Sequence, residues 1–127
     1  MNRDKLVELY KKYDLTKDDV FKHQHYVIIT RTGIDKIQGI EQIKITYDCI
    51  KTEPNFASLK ATATKGEAYI ETFGSALKGD NYKDGNCNSW YVAEMAEKRA
   101  MSRAVLKLTG FYELGVFGED ESDSFKK

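Results

Sequence analysis

Three basic side chains recur at helical spacing near the C-terminal end of the sequence. Arg99, Arg103 and Lys107 follow one another at four-residue intervals within the segment WYVAEMAEKRAMSRAVLKL. On an α-helix this spacing places one cation on each successive turn, about 6 Å apart, close to the separation of phosphates along a nucleic-acid strand. The same spacing is typical of a solvated helix face whose cations pair with Glu94 and Glu97. Taken alone, the spacing favours the solvated face, since most charged runs only face water.

Further lysines and aromatic residues extend the pattern. Lys98 lies beside Arg99 on another side of the same predicted helix, and Lys60 and Lys65 lie in a strand-like segment. The candidate nucleic-acid-binding residues are Lys98, Arg99, Arg103, Lys107, Lys60 and Lys65. The aromatic residues that could stack on bases are Tyr69, Phe73, Tyr82 and Trp90. Aromatic side chains more commonly belong to a core or its rim, which is the competing interpretation.

No residue set for catalysis or metal binding is complete in the sequence. His23 and His25 put two imidazoles on one side of an extended segment, but no nearby cysteine or carboxylate completes a tetrahedral site. DNYKDGN resembles the start of a calcium loop, but Tyr82 and Tyr91 occupy ligand positions. The sequence also lacks the GxxxxGK[ST] and GxSxG motifs. We therefore expect no metal, no cofactor and no enzymatic activity.

The segments that must position these residues alternate between helix and strand. Apolar spacing predicts a helix over residues 4–13, and TKDD predicts a short turn with a capping box in which Asp19 reaches back to the Thr16 amide. YVIIT predicts a short strand, and RTGIDKIQG predicts one or two helical turns that Gly39 closes. The N-terminal third is thus predicted to hold helices around one short strand.

Three further strand-like segments precede the long helix. Residues 43–53 alternate apolar and polar types, and the predicted buried face holds Ile43, Ile45, Tyr47 and Cys49. After a turn at Pro54, FASLKATATK alternates again, and a turn at Gly66 leads into EAYIETFGSAL. The pattern predicts a three-stranded antiparallel meander.

The long helix begins near Trp90, where Asn88 or Ser89 can cap it, and Gly110 ends it. Its small residues are Ala93, Ala96, Ala100 and Ala104, which cluster within about 80° of the helix surface. A helix face made of small side chains can pack close to a sheet, and the alanines of the predicted second and third strands would allow that close approach. The predicted fold class is therefore α+β, with a β-β-β-α core in which the long helix packs on the sheet.

Charge is distributed unevenly along the 127 residues, although the formal net charge is zero. Residues 113–127 hold five acidic residues and two lysines, which leaves 18 basic and 15 acidic residues for positions 1–112. A chain of this length with 41% hydrophobic residues is suited to one core. We predict a single DNA-binding and oligomerisation domain over residues 1–112 and a flexible acidic tail over residues 113–127.

Cysteine use and hydropathy bear on location. Cys49 and Cys87 lie far apart without metal-ligand spacing, and the N-terminus lacks the apolar run of a signal peptide. No window approaches the roughly 18 apolar residues of a spanning helix. We therefore expect a protein of the reducing cytoplasm without membrane insertion.

The C-terminal segment AEKRAMSRAVLKLTGFYELGVFGEDE resembles the single-strand annealing proteins of the Rad52 and phage Erf type. In that family the helix after a β-meander carries a Lys-Arg-Ala element and ends in a Leu/Gly-rich turn that runs into acidic residues. ITRTGIDKIQGI is similar to the helix that precedes the meander there. The likeness covers residues 26–120, mostly as topology, and only residues 98–103 are motif-like.

The resemblance implies a minimal core that is not an enzyme. Such proteins assemble into rings or helical filaments and hold single-stranded DNA so that a complementary strand can pair, without ATP, during recombination and repair. Lys98 and Arg99 match the family's Lys-Arg pair, but Ser102 stands where the family has its next basic residue, and Arg103 follows one position later. The implied setting is a bacterial or phage-infected cell, with a host single-strand-binding protein as a candidate partner.

Two alternatives stay open at the level of sequence. Helix, three antiparallel strands and a basic helix are also the order of a double-stranded-RNA-binding domain, which carries lysines at the helix N-terminus where NSWYVAEMAE has none. A protein-interaction module that only self-assembles is the other. Unpaired sheet edges and the aromatic residues Trp90, Phe111, Tyr112 and Phe117 predict a homo-oligomer in either case.

Overall fold

The predicted α+β architecture, with a long C-terminal helix packed on a three-stranded antiparallel sheet, is confirmed by a computed structural model that describes residues 3–23, 26–79 and 91–122. The helices are α1 (Arg3–Lys12), α2 (Arg31–Glu41), α3 (Val92–Leu108) and α4 (Glu119–Ser122), and a 3-10 turn spans Tyr112–Leu114. The strands are β1 (Val20–His23), β2 (Tyr26–Ile29), β3 (Lys44–Glu53), β4 (Phe56–Lys65), β5 (Ala68–Leu77) and β6 (Val116–Gly118).

Strands β3, β4 and β5 form the predicted meander, in that order. The register pairs Tyr47 with Ala61 and Ala61 with Thr72, so these three residues share the face that looks toward α3. Gly66, with a φ of 60°, makes the turn between β4 and β5, where a left-handed backbone favours glycine. The pairing of β3 with β4 shifts between Cys49 and Lys51, which is a β-bulge.

Helix α3 lies on β4 and β5 through its alanine face. Ala96, Ala100 and Ala104 are fully buried, as the sequence predicted. The approach is closest at Gly74, where a Cβ atom would stand 2.2 Å from the carbonyl oxygen of Ala96. Thr72 donates a buried 2.7 Å hydrogen bond to the carbonyl of Ala100, which fixes the helix on the strand. Small residues on both surfaces therefore allow backbone-to-backbone packing.

The inner face of β3 departs from the prediction. Tyr47 and Cys49, expected to be buried, are exposed, and only Ile45 on that face is half-buried. The reason is that α3 covers β4 and β5 and barely reaches β3. The alternation correctly predicted a strand but not which part of the face the helix covers.

A second sheet, with strand order β1-β2-β6, was only partly predicted. Strand β1 forms an antiparallel hairpin with β2, and β6 pairs in parallel with β2 on the other side. Val116 and Gly118 are buried in this sheet. The prediction of a flexible tail from residue 113 is therefore wrong over residues 113–122, because β6 adds a strand to the body of the protein; residues 123–127 lie outside the described residues.

Local features near the N-terminus match the sequence more closely. The Thr16 amide donates to the Asp19 carboxylate at 3.0 Å, which confirms the predicted capping box. Helix α2 is longer than predicted, because it continues past Gly39 to Glu41 and ends at Gln42 in the left-handed conformation. Asn88, Ser89 and Trp90, the predicted start of the long helix, lie outside the described residues.

The main core gathers aromatic residues from both ends of the chain. Phe111 is fully buried and packs on the rings of Tyr10 and Tyr13, with centroids 6.5 and 5.9 Å away. Tyr112 and Phe117 meet edge to face at 5.6 Å. Phe111, Tyr112 and Phe117 thus find partners within the chain, so their part of the case for a homo-oligomer falls away, while Trp90 lies outside the described residues and the unpaired edge of β3 remains. Over the described ranges, none of the helices has the length and apolar character needed to cross a membrane.

Candidate nucleic-acid interface

The basic ridge is defined as Arg99, Arg103 and Lys107, and its first two members contact the outer edge of β5. Among the described strands β5 pairs only with β4, so the carbonyls of its outer edge are open to side chains of α3. Arg99 donates to the carbonyl of Ser75 at 2.9 Å, and Arg103 donates to the carbonyl of Phe73 at 3.1 Å. One helical step of four residues advances about 6 Å, and two strand residues advance about 6.6 Å. A four-residue step along α3 therefore matches a two-residue step along β5, and the two elements run in opposite directions.

Arg99 is a buried member of the ridge. Only 4% of it is exposed, and its Nε also donates to the carbonyl of Asp120 at 3.1 Å. The sequence placed this guanidinium on the surface, which is wrong, because the edge of β5 and the C-terminal segment enclose it. Arg99 ties α3, β5 and α4 together, so we assign it a positioning role in place of the predicted direct contact with phosphate.

Arg103 and Lys107 remain at the surface. The hydrogen bond of Arg103 to Phe73 is itself solvent-exposed, and the Arg103 side chain is half-buried. Lys107 is exposed, with its Nζ 5.0 Å from the centroid of the Tyr112 ring. These two cations, one turn apart, are the part of the ridge that a polyanion can reach.

Lys98 belongs to a different cluster, where the acidic segment meets the cations. Asp120 accepts from the Ser102 hydroxyl at 3.2 Å and lies 3.7 Å from Arg31 Nη1. Glu119 accepts from the backbone N–H of Arg31, at the first residue of α2, at 3.0 Å. Burial raises the pKa of Asp120, while Arg31, Ser102 and Lys98 oppose the shift. Arg31 was missed by sequence reasoning, since only the tertiary fold brings it to this cluster.

Lys60 and Lys65 lie apart from the ridge, and each pairs with acids. Lys60 Nζ is 2.8 Å from the Glu71 carboxylate, whose hydrogen bond raises the pKa of this lysine. Lys65 Nζ lies 2.9 Å from the Glu41 carboxylate at the end of α2. Lys60 stands opposite Phe73 on β4, one strand in from the edge that Arg103 contacts, and Lys65 stands opposite Ala68 at the turn between β4 and β5. Both lysines are therefore held in ion pairs away from that edge.

Glu41 is the centre of a structural cluster rather than a binding site. Its carboxylate accepts from the Tyr13 hydroxyl at 2.5 Å and also lies 3.4 Å from Lys12 Nζ. The hydrogen bond from Tyr13, followed by that from Lys65, lowers the pKa of Glu41 to about 2. The cluster joins α1, α2 and β4, and its charges are used within the fold.

The aromatic candidates divide by position. Tyr69 and Phe73 are exposed on the outer face of β5, so neither is a core residue. Tyr82 and Trp90 lie outside the described residues.

The predicted pair of histidines can be followed only in part, because His25 lies outside the described residues. The described ranges hold no group of three or more side chains able to ligate a metal.

Comparisons of the chain with protein-family profiles, with curated proteins and with solved structures find no match. Functional assignment therefore depends on geometry and on the likeness of the C-terminal segment. What the geometry offers is two solvent-facing cations at successive turns of α3, of which Arg103 is fixed to the outer edge of β5. Such an arrangement can bind successive phosphates of one strand.

Proposed function

We propose that the protein binds single-stranded DNA and promotes ATP-independent annealing of complementary strands in recombination and repair. The observation that carries the proposal is the placement of two cations on successive turns of α3: half-buried Arg103, which bonds the outer edge of β5, and exposed Lys107. Their repeat of about 6 Å suits consecutive phosphates of one strand. The cations support binding to DNA, and the resemblance of the C-terminal segment to annealing proteins supports strand annealing as the reaction.

The roles differ among the residues. Arg103 and Lys107 contact the sugar-phosphate backbone, and Arg99 holds α3 against β5 so that the two cations keep their spacing. The charge of Lys98 acts to lower the pKa of Asp120, so Lys98 interacts with this acid as well as with any phosphate. We further propose a homo-oligomer, a ring or filament, which the unpaired edge of β3 supports among the described strands. The cytoplasm remains the proposed location.

Salt-dependent binding tests this proposal. Affinity for single-stranded DNA should fall as salt rises, and Arg103→Ala or Lys107→Ala should each lower the log-log slope by about 0.7. Lys17→Ala removes an exposed lysine from the turn after α1 and should leave the slope unchanged. Titrations with double-stranded DNA and double-stranded RNA at the same salt address the alternatives. Tighter binding to double-stranded RNA than to single-stranded DNA would refute the proposal.

A further inference from the structure

Two aromatic rings stand exposed on the outer face of the meander. Tyr69 is 67% exposed and Phe73 is 53% exposed. They lie four residues apart on β5, so their side chains leave the same face of the sheet, about 13 Å from each other. Gly74 and Thr72, on the opposite face of the strand, are buried against α3. The rings therefore point away from the core by the pleat of the strand.

The rings adjoin the accessible cations of the ridge. Arg103 donates to the carbonyl of Phe73 itself, so a guanidinium and a ring occupy the same position along the edge. Lys107 lies one turn beyond Arg103, in the direction of Tyr69, because α3 runs opposite to β5. At the position of Phe73, the edge of β5 therefore carries the positive charge of Arg103 and the outer face carries an aromatic ring.

Charged side chains of both signs lie beside the rings on the outer face, where Lys60 stands opposite Phe73 and lies 3.9 Å from the Asp48 carboxylate. Glu71 lies between the two rings in sequence and on the same face, but its carboxylate is 2.8 Å from Lys60 Nζ. The ring separation of about 13 Å also corresponds to about two steps of 6 Å along a nucleic-acid strand. A strand with phosphates on the cations would carry bases over both rings.

We propose that Tyr69 and Phe73 stack on two unpaired bases, two nucleotides apart, of a DNA strand whose phosphates contact Arg103 and Lys107. This inference rests on the proposed function and adds the means by which single strands are selected. Every base offers a face to an aromatic ring, so stacking is tolerant of sequence. In a duplex the base faces are already stacked on one another, so the rings gain nothing from it.

The test separates stacking from charge by pairing Tyr69→Ala with Tyr69→Phe. Tyr69→Ala should weaken binding to single-stranded DNA by about 5-fold to 150-fold, whereas Tyr69→Phe, which keeps the ring, should bind as wild type does. Neither change removes a cation, so the slope of log affinity against log salt should stay that of wild type. Circular dichroism checks that each variant is folded, and Phe73→Ala repeats the experiment at the second ring.

An oligonucleotide that lacks its bases completes a double-mutant cycle. Wild type and Tyr69→Ala should bind this abasic strand equally, because no base is left to stack. Equal losses on normal and abasic strands would show that the ring acts only through the fold and would overturn the stacking proposal. If both alanine variants bind normal DNA as wild type does, with the salt slope intact, stacking is refuted and the proposed function stands. Wild type that does not bind single-stranded DNA refutes both.

Discussion

Replacing Gly74 by alanine should disrupt the packing that places the ridge on the edge of β5. The added Cβ would stand 2.2 Å from the Ala96 carbonyl oxygen and 2.4 Å from the Ala100 amide nitrogen. Both neighbours are backbone atoms of α3, so no side chain can rotate away. Ordinary contact needs about 3.4 Å or more, and α3 must therefore move by about 1 Å.

The cost follows from what this movement breaks. Overpacking typically costs about 1 to 3 kcal/mol, and loss of a buried hydrogen bond about 1 to 3 kcal/mol more. The bond at risk is that from Thr72 to the Ala100 carbonyl. We expect a total of about 2 to 6 kcal/mol, against a usual domain stability of about 5 to 15 kcal/mol. The midpoint of thermal unfolding should fall by about 8 °C or more.

Thermal unfolding followed by circular dichroism measures this effect, with Gly39→Ala as the matched control. A methyl group at Gly39, in α2, would meet no atom within 4 Å. Alanine is the better helix former, so this second variant should be more stable than wild type by about 0.5 to 1 kcal/mol. If Gly74→Ala unfolds within about 2 °C of wild type, the close approach of α3 to β5 is refuted.

Three further changes test the core and the two charged clusters. The pKa of Glu41 is lowered from 4.5 to about 2 in the folded protein, so the ionised carboxylate stabilises the fold. This stabilisation is fully present at pH values above about 4.5 and is lost as the pH falls toward 2. Glu41→Gln should therefore destabilise the protein at pH 7 in urea unfolding, and by less at pH 3. Ala100→Leu should cost about 1 to 3 kcal/mol in the same assay, because Ala100 is fully buried. Asp120→Asn should tighten binding to single-stranded DNA severalfold in a titration, because it removes a negative charge 3.7 Å from Arg31 that also acts on Lys98. Glu94→Gln, an equal change of charge at an exposed acid, should not.

Patterns that depend on neighbours in sequence predicted much of this fold. The capping box at Thr16 and Asp19 needs only four consecutive residues, and it forms as expected. The meander follows from period-two alternation over residues 44–77, and the inward alanine face of α3 follows from helical spacing. In each case residues close in sequence determine the element, although for β3 they did not determine which residues the helix covers.

Features that depend on contacts between residues far apart in the chain were not predicted from the sequence. Strand β6 has only three residues, and its pairing with β2 joins Val27 to Val116, far apart in the chain. A segment this short carries no periodicity, and the acids that follow it suggested a tail instead. Strand β1 is similarly short, with Phe21 and Lys22 exposed in a four-residue hairpin arm.

The ridge shows the same limit at the candidate site. Helical spacing correctly placed Arg99, Arg103 and Lys107 on adjoining turns, but spacing cannot reveal what such a face meets. In the fold, the face meets the carbonyls of Ser75 and Phe73, and it leaves the first cation buried and the later ones accessible. Which cations remain for a ligand is a tertiary property, so it could be assigned only from the structure.

Annealing of complementary oligonucleotides without ATP is the most direct test of the proposed function. Wild-type protein should accelerate pairing over the spontaneous rate. The double variant Arg103→Ala and Lys107→Ala, once shown to be folded, should lose most of this acceleration, and its salt slope for single-stranded DNA should fall by about 1.4, two contacts at about 0.7 each. Lys17→Ala should anneal as wild type does. A wild-type rate equal to the spontaneous one, or a double variant with unchanged rate and slope, would contradict the proposal.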